Sequence, residues 1–96
     1  MNETEKIVLI DGTFLCKEAK EILTSVLTTK INFHQMKNFS SHELFGKDDV
    51  IAKKRIPALK KEMQKVQSIL QKAEEKNKHL IISSEIKIAL TDNLDA

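Results

Sequence analysis

The feature that most constrains the fold of this chain is a regular spacing of apolar residues in its second half. Between residues 52 and 73, apolar side chains are separated by strictly alternating steps of four and three residues. This is the heptad spacing of helices that pack side by side, and seven consecutive matches are hard to obtain by chance. We therefore predict a long helix over residues 48–78, capped by Asp48 or Asp49. Its packing face, named here the heptad stripe, consists of Ala52, Ile56, Leu59, Met63, Val66, Leu70 and Ala73.

A second amphipathic helix is predicted nearer the N-terminus, over residues 15–38. Apolar residues between Ala19 and Ile31 recur at steps of three and four, which is typical of a helix with a broad packing face. Thr13 has a side chain suited to the N-cap of this helix. Two such helices in sequence can form an antiparallel hairpin, so we expect them to pack against each other.

Two features interrupt the helical pattern. Residues 39–47 are interpreted as a connector, because Ser40 and Glu43 have the spacing of a capping box and Gly46 suits the end of a helical turn. Pro57 lies inside the later helix, beside the heptad stripe, where it cannot donate a backbone hydrogen bond. It predicts a kink or a helix start, although a surface proline in a continuous helix is the favoured interpretation.

The two ends of the chain carry strand patterns. Residues 6–11 are mostly aliphatic and end at the turn-forming pair Asp11-Gly12, which predicts a short strand. Residues 80–90 alternate between apolar and other side chains from Ile82 onward, which predicts a second strand. Residues 91–96 are polar and are expected to fray.

The first strand is apolar on both faces if its side chains alternate regularly. Ile7 and Leu9 would then point to one side, and Val8 and Ile10 to the other. A strand that needs cover on both faces is not satisfied by a half-exposed hairpin. This pattern is a first indication of a partner.

These elements predict one α+β domain that is mostly helical, in the order strand-helix-helix-strand. A helix of thirty residues is roughly 45 Å long, whereas a compact chain of this length is roughly 30 to 35 Å across. A two-stranded sheet is also marginally stable alone. We therefore expect a homodimer or higher homo-oligomer that completes the sheet. The predicted interface combines the heptad stripe from Ala52 to Leu70 with four strand residues: Val8, Ile10, Ile86 and Ile88.

Composition excludes several classes of protein. With 41% hydrophobic and 31% charged residues, the 96-residue chain is too apolar for a disordered tail and too charged for a membrane span. A single cysteine cannot form an internal disulfide, and the first residues are acidic where a signal peptide would be basic. We therefore predict a cytoplasmic protein without a membrane partner.

Metal and cofactor chemistry has little support in the sequence. His34, His42, His79 and Cys16 lack the paired spacings of zinc ligands. Cys16 lies at the start of the first helix, where a thiol can be activated, but such cysteines usually pack as small apolar residues. We predict no metal and no cofactor.

Catalysis is also not predicted. The connector brings His42 near Glu43, Asp48 and Asp49 in sequence, which are the groups of acid-base chemistry. Capping and helix-dipole roles account for each carboxylate more simply. Two glycines in the whole chain cannot build a phosphate-binding loop. We therefore predict a non-enzymatic protein.

A basic segment of the second helix supports the alternative prediction. Six basic residues between positions 53 and 65 are opposed there only by Glu62, although the whole chain has a formal charge of just +2. Such a stripe can neutralise phosphates with a steep dependence on salt. We name it the basic stripe: Lys53, Lys54, Arg55, Lys60, Lys61 and Lys65.

The favoured function is that of a small interaction or assembly protein that acts through a homo-oligomeric helical and strand surface, with a further protein partner as an option. The alternative is a weakly sequence-selective nucleic-acid binder that uses the basic stripe. Arg55 is the only arginine, and Trp and Tyr are absent. The chain therefore has few of the side chains that read bases specifically or form typical binding hot spots. Nucleic acid is therefore possible as a partner but not favoured.

Overall fold

The computed structural model describes residues 3–93 and confirms the predicted element order. Strand β1 spans Thr4–Phe14, helix α1 spans Cys16–Phe45, helix α2 spans Val50–Glu75, and strand β2 spans Leu80–Ala89. The two helices form an antiparallel hairpin, and the two strands pair with each other as an antiparallel sheet. The predicted frayed tail falls partly on residues 94–96, which lie outside the described residues.

The heptad stripe is the packing face of α2. Ala52, Leu59, Leu70 and Ala73 are buried, and the other three members of the stripe are half-buried. Helix α1 covers them with its own apolar face, which includes the fully buried Ala19. The stripe is therefore satisfied within one chain.

Helix α1 is longer than the sequence predicts. It continues through residues 39–45, which the sequence predicts as part of the connector, and ends at Phe45. Gly46 terminates it in the left-handed conformation, with φ 68° and its N–H donating to the His42 carbonyl, as expected of a helix stop. The hairpin therefore consists of two long helices, with 30 residues in α1 and 26 in α2.

The predicted N-cap of α2 is confirmed, and the predicted N-cap of α1 is wrong. Asp49 is the N-cap of α2, since its Oδ2 accepts a hydrogen bond of 2.9 Å from the Ala52 N–H. The N-cap of α1 is Leu15 and not Thr13, because Thr13 is paired in β1. The Glu18 side chain accepts the Leu15 N–H instead. Pro57 lies inside the continuous helix α2 with its side chain exposed, as the favoured interpretation predicted.

The sheet is a long two-stranded ribbon. β1 begins at Thr4 and runs to Phe14, past the predicted turn at Asp11-Gly12, because these residues pair with Ser83 and Ile82 of β2. Eleven residues of β1 face ten of β2, so the ribbon is roughly 35 Å long at about 3.4 Å per residue.

A β-bulge at Leu9 changes the phase of β1. Val8 pairs with Glu85 and Ile10 pairs with Ser84, which leaves Leu9 as the extra residue. Consecutive residues of β2 point to opposite faces, so Val8 and Ile10 also lie on opposite faces, contrary to the prediction. The bulge instead brings Ile10 onto the face of Ile7, whose partner is Ile86.

The bulge therefore sorts the ribbon into one apolar and one polar face. The apolar face consists of Ile7, Ile10, Phe14, Leu80, Ile82, Ile86 and Ile88, with Glu5, Gly12 and Ser84. The polar face consists of Thr4, Lys6, Asp11, Thr13, Ser83, Glu85, Lys87 and Ala89, interrupted by Val8 and Ile81.

The helices cover only one half of the apolar face, residues 10–14 and 80–84, named here the proximal half. Ala19, Leu70, Ala73 and Leu80 form the buried core, and Phe14, Cys16, Val66 and Ile82 pack against it. The molecule measures 49 × 36 × 15 Å, and two packed helices roughly 45 Å long would be only about 20 Å wide. The 36 Å dimension is therefore due to the ribbon, which projects sideways from the helices.

Candidate functional site

The distal half of the ribbon, residues 4–8 and 85–89, presents uncovered aliphatic side chains. Ile7, Ile86 and Ile88 lie together on the apolar face and are 48%, 39% and 46% exposed. They point to the same side as the proximal residues that the helices cover. The distal ribbon is therefore a continuation of the core that no described residue of this chain encloses.

The accessible surface of the molecule has the same implication. It amounts to 8215 Å², whereas a compact monomer of this mass exposes about 5600 Å². The radius of gyration is 16.7 Å, against about 12.5 Å for a compact chain of this length. No large apolar side chain within residues 3–93 is fully buried. Much of the apolar surface that folding would normally hide is thus exposed.

The tip of the helical hairpin carries a second exposed apolar cluster. It lies around the end of α1 and the start of α2, far along the helices from the sheet. These residues are not among the predicted site residues, although five large apolar side chains within thirteen positions are a signal in the sequence. The cluster comprises Phe39, Leu44, Phe45, Val50 and Ile51.

The acid-base candidates at the connector take part in hydrogen bonds that join the two helices. His42 Nε2 lies 2.5 Å from Asp48 Oδ1. Hydrogen bonds from the side chains of His42 and Asn38 hold the pKa of Asp48 below its usual value. Asn38 Oδ1 also accepts the Asp49 N–H at 2.8 Å. These contacts fasten the end of α1 to the start of α2.

The four acid-base candidates are therefore not assembled into one site. Asp49 is occupied in capping α2, and His42 and Asp48 are paired with each other. Glu43 points to solvent on the outer side of α1. The hydrogen bonds of these residues hold the loop between α1 and α2 in place.

The other titratable candidates are dispersed along the chain. His34 is buried in the helix pair, whereas His79 is exposed between α2 and β2. Cys16 packs against the core, and its Sγ donates a hydrogen bond to the Lys78 carbonyl at 3.4 Å. Among residues 3–93, no three His, Cys, Asp or Glu side chains come together in a group that could hold a metal ion.

His34 is the one buried polar side chain of the helical hairpin among the described residues. It is 5% exposed, and neither ring nitrogen has a hydrogen-bond partner. Burial lowers the pKa of His34, and the nearby charges of Lys30 and Arg55 lower it further, while Asp49 acts in the opposite sense. The imidazole is therefore held neutral at physiological pH.

All six members of the basic stripe are exposed on α2. Lys53 lies 3.9 Å from Asp48, and Lys65 lies 3.7 Å from Glu62 on the next turn. Lys53 and Lys60 flank the heptad stripe one heptad apart, and Lys54 and Lys61 follow them on the outer face. The basic stripe is thus a solvated surface that extends from the edge of the heptad stripe to the outer face of α2.

The predicted interface residues fall into two groups in the structure. The members of the heptad stripe contact the neighbouring helix of the same chain, as described above. Among the four strand residues, Ile86 and Ile88 belong to the distal ribbon, and Ile10 is half-buried near the helices. Val8 is 66% exposed on the polar face. Sequence reasoning missed Ile7, because regular alternation placed it opposite Ile10.

Neither described helix contains an apolar stretch sufficient to cross a lipid bilayer. No protein-family model, no curated protein and no solved structure matches this chain.

Proposed function

We propose that this chain is a non-enzymatic assembly protein that acts as a homo-oligomer, with a homodimer as its basic unit. The observation that carries the proposal is the uncovered distal ribbon, where Ile7, Ile86 and Ile88 extend the core beyond the helices. Exposed apolar patches of this kind mark association surfaces. The cytoplasmic location predicted from the sequence belongs to this proposal as well.

The amount of exposed surface fits association between copies. The accessible surface of 8215 Å² exceeds that of a compact monomer by about 2600 Å². Obligate homodimers bury about 2000 to 5000 Å² in total, or about 1000 to 2500 Å² for each copy. One dimer interface can therefore account for most of the excess.

The absence of an enzyme function is part of the proposal. Three of the four acid-base candidates have structural roles at the connector, because Asp49 caps α2 and His42 pairs with Asp48. An assembly protein requires no such site, because its association surface is its function.

The proposal is tested by measuring the mass of the protein in solution. Light scattering after size exclusion should give about twice the chain mass of 11.0 kDa at micromolar concentration. Ile88→Lys places a charge on the distal apolar face and should shift the protein towards monomer. Thr13→Lys adds the same charge to the exposed polar face and is the matched control. A wild-type monomer at this concentration would refute the proposal.

A second candidate function is nucleic-acid binding through the basic stripe. It is favoured by the exposure of all six side chains, of which Lys53 and Lys65 alone have an acidic group within 4 Å among the described residues. Changing Lys53, Lys54, Lys60 and Lys61 together to Gln should weaken duplex binding and reduce its salt dependence. If the wild-type protein binds neither DNA nor RNA at low salt, this candidate is excluded.

A further inference from the structure

In the proposed homodimer, on which the following rests, a second copy of the chain joins the open edge of the ribbon. A two-stranded sheet has two outer edges, and the described residues add no third strand. The edge of β1 is interrupted by the bulge at Leu9, which disfavours pairing with another strand. The outer edge of β2 is regular over all ten residues and contains no proline. A new strand would therefore add to β2.

We propose that β2 pairs antiparallel with β2 of a second copy, around a two-fold axis that passes through Ile86. The result is a four-stranded sheet in the order β1-β2-β2-β1. A two-fold interface uses the same surface on both copies, so a single edge is sufficient to close the dimer. The pairing also removes two exposed edges that would otherwise be open to aggregation.

The charges on β2 select this register. Centring the pairing on Ile86 places Glu85 opposite the partner's Lys87, and the two-fold axis repeats this pair. Shifting the centre by one residue places Glu85 opposite the partner's Glu85, or Lys87 opposite the partner's Lys87. Opposite charges across neighbouring strands stabilise a sheet, and like charges destabilise it.

Within the single chain, neither Glu85 nor Lys87 has an oppositely charged residue directly across the ribbon. Within the ribbon, Lys87 lies opposite Lys6, and Glu85 lies opposite Val8. Two lysines facing each other are unfavourable. A carboxylate from the partner beside Lys87 would offset this repulsion on the same polar face.

The same register extends the distal apolar face across the interface. It makes one continuous row of four isoleucines, from Ile7 and Ile86 of one copy to Ile86 and Ile7 of the other. It also places Ile88 beside the partner's Ser84, which belongs to the half-buried proximal part of its ribbon. The end of each β2 strand thereby lies beside the start of the helix-covered part of the other ribbon.

Disulfide cross-linking tests the axis. In a chain with Cys16→Ala, Ile86→Cys places two cysteines directly opposite each other, about 4.5 to 5.5 Å apart between Cα atoms, which lies within the range of a disulfide. Ile88→Cys is the matched control, because it lies on the same face with similar exposure. Its two copies would be about 14 Å apart, four residues along the strands. Mild oxidation should cross-link the first variant rapidly and the control weakly.

A charge exchange tests the register without altering the apolar face. Glu85→Lys alone and Lys87→Glu alone each create two like-charge pairs, and each should weaken dimerisation by about tenfold. The double variant restores both pairs in reversed order and should recover most of the affinity. Both side chains are exposed, so the fold of the single chain should persist in every variant. Circular dichroism checks this directly.

The outcomes separate this inference from the proposed function. Selective cross-linking at position 86 together with rescue by the double charge exchange would support both. A dimer in which position 86 fails to cross-link, or cross-links no better than position 88, would overturn the β2 pairing and leave the homodimer intact. A dimer whose affinity is not rescued by the double exchange would overturn the register. A monomeric wild-type protein would refute both proposals.

Discussion

Replacing His34 by leucine should stabilise the helical hairpin. The imidazole is 5% exposed, and both of its ring nitrogens lack a hydrogen-bond partner within residues 3–93. Burying an unpaired polar group costs about 1 to 3 kcal/mol. Leucine at the same position would remove that cost and extend the apolar face of α1 against α2. We therefore expect His34→Leu to raise the free energy of unfolding by about 1 to 2 kcal/mol at pH 7.5.

The effect should grow as the pH falls. Because burial, Lys30 and Arg55 lower the pKa of His34 in the folded chain, the unfolded chain binds the proton more readily. The folded state therefore loses stability as the pH decreases below the ordinary value of 6.5, down to the lowered pKa. One such group changes the free energy of unfolding by at most about 1.4 kcal/mol per pH unit. His34→Leu removes this dependence.

The assay is urea unfolding followed by circular dichroism at pH 7.5 and pH 5.0. One fixed protein concentration is needed, because association would otherwise change the apparent stability. The pKa of Asp48 is lowered from 3.8, so its contribution to stability is lost only at more acid pH. His79→Gln is the control, since His79 is exposed outside the helix pair. If wild type and His34→Leu lose the same stability between the two pH values, the imidazole is not buried unpaired.

Three further substitutions test the packing and the helix ends by the same unfolding assay. Leu59→Ala should cost about 2 to 5 kcal/mol, because Leu59 is buried in the heptad stripe, whereas Ile69→Ala on the exposed side of α2 should cost far less; equal losses would contradict the assigned packing face. Asp49→Ala removes the acceptor of the Ala52 N–H and should cost about 0.5 to 2 kcal/mol, with Asn at this position retaining most of the stability. Gly46→Ala should cost about 1 kcal/mol through its positive φ alone, because no atom lies within 4 Å of the added methyl group; an unchanged midpoint would refute the left-handed helix end.

The helices were the part of the fold that the sequence predicted best. All seven members of the heptad stripe lie where the spacing placed them, because a packing face must follow the period of the helix that carries it. The end of α1 was misjudged because Ser40, Ser41 and Glu43 resemble the start of a new helix. Ser41 instead donates its hydroxyl to the Lys47 carbonyl at 2.7 Å, across the turn. Polar side chains can hydrogen-bond to nearby backbone groups either at the start or at the end of a helix, so their presence does not tell the two apart.

The faces of the ribbon could not be predicted from the sequence. Alternation assigns faces correctly only while each residue of one strand opposes one residue of the other. The extra residue at Leu9 shifts every later position of β1 by one, and no local signal such as glycine marks it. The candidate site was consequently predicted in part, with Ile86 and Ile88 included and Ile7 left out.

The bulge also explains why the aliphatic side chains of both halves of the ribbon share one face. Without it, Ile7 and Ile10 would lie on opposite faces, and no single layer of helices could cover both. With it, nearly all aliphatic side chains of the ribbon share one face, but the hairpin of α1 and α2 reaches only the proximal half. The remaining half of that face is left exposed by the described chain, and this exposure is the observation on which the proposed pairing with a second copy depends.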